Sequence, residues 1–167
     1  MNMYHQSLKL GFIGLGKYGF ATAKAILKSG HHEIENIYFE KIDDVSLKEL
    51  PAEKALVIKN NYENLRKLLL RFINENDIEK FLDSHILDTN ELIGKVYENN
   101  DSKGALIISL DMYRGRRLLE KMADSRNEIS WNDVWILSSV SKLEVPIIKQ
   151  LVNKNVRVIR YIQNMAI

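Results

Sequence analysis

The 167-residue sequence contains no cysteine, which excludes disulfide staples, thiolate zinc sites and a cysteine nucleophile, and gives no support for secretion. It also lacks an excess of either charge. Twenty-four Lys and Arg against 22 Asp and Glu leave a formal charge of +2, so no net field draws the chain toward nucleic acid or an anionic membrane. No apolar run approaches the roughly 20 residues of a membrane helix, and the polar opening from Met1 to Lys9 has no signal-peptide core. The expectation is a soluble, cytoplasmic, single-domain protein spanning 1–167, with no nucleic-acid or membrane partner and enough chain for a sizeable core.

What is present begins with glycine. Four of the eight glycines (Gly11, Gly14, Gly16, Gly19) crowd together near the N-terminus. Leu8 to Ile13 reads as an apolar strand before them, and Phe20 to Lys28 as a helix after them, stopped at Ser29-Gly30. Ile34 to Glu40, rich in β-branched and aromatic residues, reads as a second strand. Between Lys41 and Leu82 the pattern is less regular: Ala55 to Ile58 fits a short strand or a helical turn. From Asn64 onward Leu65, Leu68, Leu69, Phe72 and Ile73 follow helical spacing with one buried face. The second half alternates strands (His85 to Leu87, Ala105 to Leu110, Val134 to Ser138, Val156 to Ile162) with helices (Glu91 to Glu98, Arg116 to Ala123, Leu143 to Val152). Nearly continuous apolar strands alternating with helices predict an α/β fold with a doubly wound, mostly parallel sheet covered on both faces.

Gly14-Leu15-Gly16-Lys17-Tyr18-Gly19 matches the pattern G-x-G-x-x-G between a strand and a helix. In such a turn the first glycine makes the bend, the second lets the backbone approach a pyrophosphate, and the third allows close helix–strand packing. Free amides and the helix dipole then favour negative charge at the helix start, within reach of Lys17 and Tyr18. Glu40 lies about 20 residues beyond Gly19, where an acid accepts from an adenosine ribose hydroxyl. These features predict a Rossmann domain binding NAD(P). Glu40 favours NAD by repelling an extra phosphate, and the adjacent Lys41 favours NADP.

The segment KLGFIGLGKYGFATAKAILKSG resembles the opening of the pyrroline-5-carboxylate reductases, and is also similar to the deazaflavin-dependent NADP oxidoreductase domains. The likeness continues to Ile167. His85 to Asn90 is similar to the family's third strand and its ending, which implies that Asn90 contacts the adenosine half of the cofactor. Ala105 to Met122 resembles the fourth strand, its cofactor-facing loop and the next helix; Val134 to Val152 resembles the fifth strand and its helix; Val156 to Ile167 resembles the sixth. The resemblance implies hydride transfer between a nicotinamide and an imine or carbonyl, in proline biosynthesis, with the nicotinamide half near Leu110, Asp111 and Ser138 and the substrate side near Asn164. It singles out no catalytic residue.

Departures from that family cluster on the nicotinamide side. Asp111-Met112 stands for its Lys-Pro, Ser138-Ser139 for its Ala-Ala-Gly, and Asn164-Met165-Ala166 for its Asn-Thr-Pro. Residues 41–82, including the helix at Asn64, look like an insertion. The family's helical C-terminal domain, which makes its dimer and much of its substrate pocket, has no counterpart before Ile167. Two expectations stand: a piece of a longer, homo-oligomeric reductase-like protein, or a stand-alone domain that senses a dinucleotide or engages a protein partner without turnover.

Other residue groups point less far. His5, His31, His32 and His85 lack zinc-ligand spacing, so no metal is expected. Ser138, Ser139 and Ser141 lack a nucleophile elbow. Arg114, Arg116 and Arg117 lie at a helix start, where the dipole disfavours cations; either an anion compensates or the turn is simply solvated. Trp131 and Trp135 read as packing residues.

Overall fold

The computed structural model describes residues 8–97, 104–124, 134–140 and 142–161. Six strands form one all-parallel sheet in the order β3-β2-β1-β4-β5-β6: β1 (Lys9–Ile13), β2 (Ile37–Glu40), β3 (Ile86–Leu87), β4 (Gly104–Ile108), β5 (Val134–Ser138) and β6 (Arg157–Arg160). Parallel strands need crossovers, and helices supply them. These are α1 (Lys17–Ser29), α2 (Asp44–Lys48), α3 (Ala52–Leu69), α4 (Ile78–His85), α5 (Thr89–Tyr97), α6 (Met112–Asp124) and α7 (Val145–Leu151). The result is a Rossmann-like doubly wound fold. No helix among the described residues is long and apolar enough to cross a membrane.

Period-two alternation divides the core into two layers. Leu10 and Phe12 of β1, Ile37 and Phe39 of β2, and Ala105 and Ile107 of β4 face one way, where they bury Ala23 and Leu27 of α1, Leu65, Leu68 and Leu69 of α3, and Ile78 of α4. Ile13, Leu106, Ile108 and Ile136 face the other, against Leu92 and Val96 of α5, Leu118, Leu119 and Met122 of α6, and Ile148 of α7. Residues 41–82 are thus part of the core, because α3 and α4 cover the sheet beside α1.

Several boundaries differ from the sequence reading for local reasons. Ile34–Asn36 is a 3-10 turn rather than strand, closed by Asn36, whose amide and side chain both donate to Glu33. The helix expected from Asn64 starts at Ala52, behind Pro51, which needs no amide partner there. It ends at Leu69, so Phe72, expected in the buried stripe, swings out to 49% exposure. His85 ends α4 instead of opening a strand; its ring stacks on Phe81 one turn earlier, at 3.8 Å, and on Tyr38, at 5.0 Å. Trp135 is half-buried beneath the Arg157 guanidinium, 5.0 Å from its ring centre. His5, Trp131, Ser141 and Asn164 lie outside the described residues.

Candidate functional site

Strand order reverses between β1 and β4, and outside the carboxyl ends of those strands opens a cleft of about 470 Å³. Its first wall is the glycine turn. Gly14 has φ 89°, a left-handed conformation that side chains resist, and a Cβ there would collide with the Ser109 carbonyl. At Gly19 a Cβ would strike the Gly14 carbonyl, so α1 packs directly on the turn.

Gly16 is different. Its backbone is extended, and no protein atom lies within 4 Å of the place a Cβ would take. The fold itself does not require glycine there. Gly16 precedes the first turn of α1, which has no side-chain cap and no acidic residue. The helix start therefore presents free amides and the positive end of its dipole to the cleft, beside Lys17 and Tyr18.

Glu40 ends β2 and is 8% exposed. One carboxylate oxygen accepts from the Gly14 amide at 3.1 Å and the other from the Thr89 hydroxyl at 2.8 Å. The side chain therefore ties β2 to the glycine turn and to the start of α5. Burial raises its pKa above the ordinary value, opposed in part by the Thr89 hydrogen bond and the charge of Arg114.

The wall facing the turn comes from residues 41–82, the segment that reads as an insertion. Asn61 donates its side-chain amide to the Leu15 carbonyl at 2.8 Å, and the Tyr62 hydroxyl donates to the Glu40 carbonyl. Leu50, Glu53, Lys54, Val57 and Ile58 line the cleft alongside Tyr62. Burial, reinforced by the nearby Glu40 charge, keeps the Tyr62 hydroxyl protonated.

The loop after β4 closes the site. Ser109, Leu110 and Asp111 line it, as does Arg114 from the first turn of α6. The Asp111 carboxylate accepts the Arg114 amide at 3.0 Å and so caps α6. The three arginines part company: Arg116 pairs with Glu120, Arg117 lies over Tyr113, and Arg114 turns into the cleft.

At the ends of β4 and β5 the lining carries two hydroxyls, Ser109 and Ser139, backed by Tyr161 after β6. Ser109 Oγ lies 2.8 Å from Ser139 Oγ and 3.0 Å from the Tyr161 hydroxyl, which reaches Thr22 of α1 at 3.5 Å. Ser139, rather than the expected Ser138, reaches the cleft. Ser138 is fully buried and accepts the Val140 amide, because alternation along β5 points it into the opposite layer. Asn90 is exposed on α5 and outside the lining; its neighbour Thr89 makes the contact with Glu40.

Sequence reasoning missed Thr89, Asn61, Tyr62, Ser109 and Tyr161. Asn61 and Tyr62 had one available signal: each lies about one turn from both Ile58 and Leu65, on a helix whose apolar stripe was visible. Among the described residues no group of His, Asp and Glu is arranged to hold a metal ion. Comparisons with protein-family models, curated proteins and solved structures find no match to this chain.

Proposed function

We propose that this chain binds a nicotinamide dinucleotide, its pyrophosphate on the Gly14 to Gly19 turn and its adenosine beside Glu40. The observation that carries this reading is Gly16. Gly14 and Gly19 are explained by contacts inside the protein, whereas the empty space at Gly16 in front of an uncapped helix is explained by a ligand's approach. The cleft suits such a group: an uncapped helix start beside Gly16, and the hydroxyls of Ser109 and Ser139 on the far side of the turn.

A bound nicotinamide supplies hydride chemistry, and this chain's residues supply its placement. The resemblance to the pyrroline-5-carboxylate reductases supports an imine or carbonyl as the hydride partner. A second reading, a dinucleotide-sensing module, is favoured by Asp111. It occupies the position of the family's Lys-Pro, and its carboxylate is spent on capping α6. Titration with NADH and NADPH, followed by a turnover assay with pyrroline-5-carboxylate, separates the readings. Binding with oxidation supports the reductase, binding without it the sensor, and no binding by the folded chain removes both.

A further inference from the structure

We propose, resting on the dinucleotide reading, that the cleft selects the cofactor bearing a 2′-phosphate on its adenosine ribose, and that Arg114 is the residue that determines this choice. A free ribose diol is read by a carboxylate with open acceptor positions. Glu40 is poorly placed to do so. It is 8% exposed, and each of its oxygens already accepts a hydrogen bond from the protein, one from Gly14 and one from Thr89. It serves as a brace between β1, β2 and α5.

Two cations on the walls opposite the glycine turn face the cleft, Arg114 from α6 and Lys54 from α3, with the Glu53 carboxylate beside Lys54. Arg114 is half-buried, and no carboxylate among the described residues lies in ion-pair contact with it. It lines the same cleft as Glu40 and Tyr62, and its charge acts to lower the pKa of both. Asp111 fixes its main chain at the start of α6. Lys54 adds a second cation from the α3 wall. A guanidinium fork matches a phosphate monoester in shape and charge, and a neutral diol gives it no ionic partner. Lys41, the cation next to Glu40 in sequence, is exposed and outside the cleft lining, so the selecting charge comes from α6.

The test is calorimetric titration of the full chain with NADP+ and NAD+, and with the half-ligands 2′,5′-ADP and 5′-AMP, for the wild type, Arg114→Gln, Arg114→Lys and Lys54→Gln. The expected result is that NADP+ and 2′,5′-ADP bind roughly tenfold or more tighter than their counterparts without the 2′-phosphate. Arg114→Gln brings that ratio close to one, Arg114→Lys leaves it between, and Lys54→Gln lowers it less. Added salt shrinks the wild-type ratio. Tighter binding of NAD+ by the wild type, or equal losses of both cofactors in Arg114→Gln, overturns the assignment and leaves dinucleotide binding intact. Failure of a folded wild type to bind either cofactor overturns both.

Discussion

The two ends of the cleft are built on different principles. Around Glu40, a buried carboxylate collects donors from separate elements, and Asn61 and Tyr62 of α3 pin the neighbouring carbonyls. Around Ser109, neutral hydroxyls bond mainly to one another. The first end is rigid because removing any partner strands a buried polar group. The second tolerates loss, since remaining hydroxyls can turn toward new partners. In the proposed reading the rigid end anchors the adenosine half of the dinucleotide and the adaptable end faces its other half.

Substitutions that break the rigid end have the largest expected effects. Gly14→Ala forces a side chain into a left-handed backbone and against the Ser109 carbonyl, at a cost of about 2–3 kcal/mol in chemical denaturation. Glu40→Ala leaves the Gly14 amide and the Thr89 hydroxyl without their acceptor, for a loss of about 1–3 kcal/mol. Tyr62→Phe, which keeps the ring and removes one donor to the Glu40 carbonyl, costs about 1 kcal/mol.

At the adaptable end, Ser109→Ala lowers stability by no more than about 0.5–1 kcal/mol. A larger loss there than at Glu40 would reverse the contrast between the ends.

The rigid end also carries a pH signature. The pKa of Glu40 is raised in the folded protein above its ordinary value of 4.5, so as pH rises past that value the unfolded chain releases its proton first. The folded state is then disfavoured, and stability falls with rising pH until Glu40 ionises in the folded protein too. Glu40→Gln keeps an acceptor oxygen and removes the titration. Denaturation midpoints measured from about pH 4 upward are expected to fall less in this variant than in the wild type; identical pH profiles would show that Glu40 is not the buried titrating group.

The same contrast explains what was legible in the sequence. The glycine turn and Glu40 were readable because β1, the turn and α1 form one contiguous unit, and β2 follows at a fixed spacing. The alternation of apolar strands and helices likewise revealed the parallel sheet. The contacts of Thr89 and Tyr62 with Glu40 were not readable, because each forms only after the fold brings distant segments together. Ser138 and Ser139 show the limit most sharply. One residue of register decides which hydroxyl enters the cleft, and strand alternation sets that register through packing on both faces. The irregular stretch from Lys41 concealed a wall of the site, since the cleft-facing residues of α3 are chosen by the turn they cover.

The central claim is that Gly16 is glycine for the sake of a ligand. Gly16→Ala, titrated by calorimetry with NADH and NADPH beside the wild type and checked for its thermal midpoint, tests it directly. The account predicts an unchanged midpoint, because the new methyl meets no protein atom, together with at least a roughly tenfold loss of dinucleotide affinity. An alanine variant that binds as well as the wild type, or a folded wild type that binds neither cofactor, would contradict it.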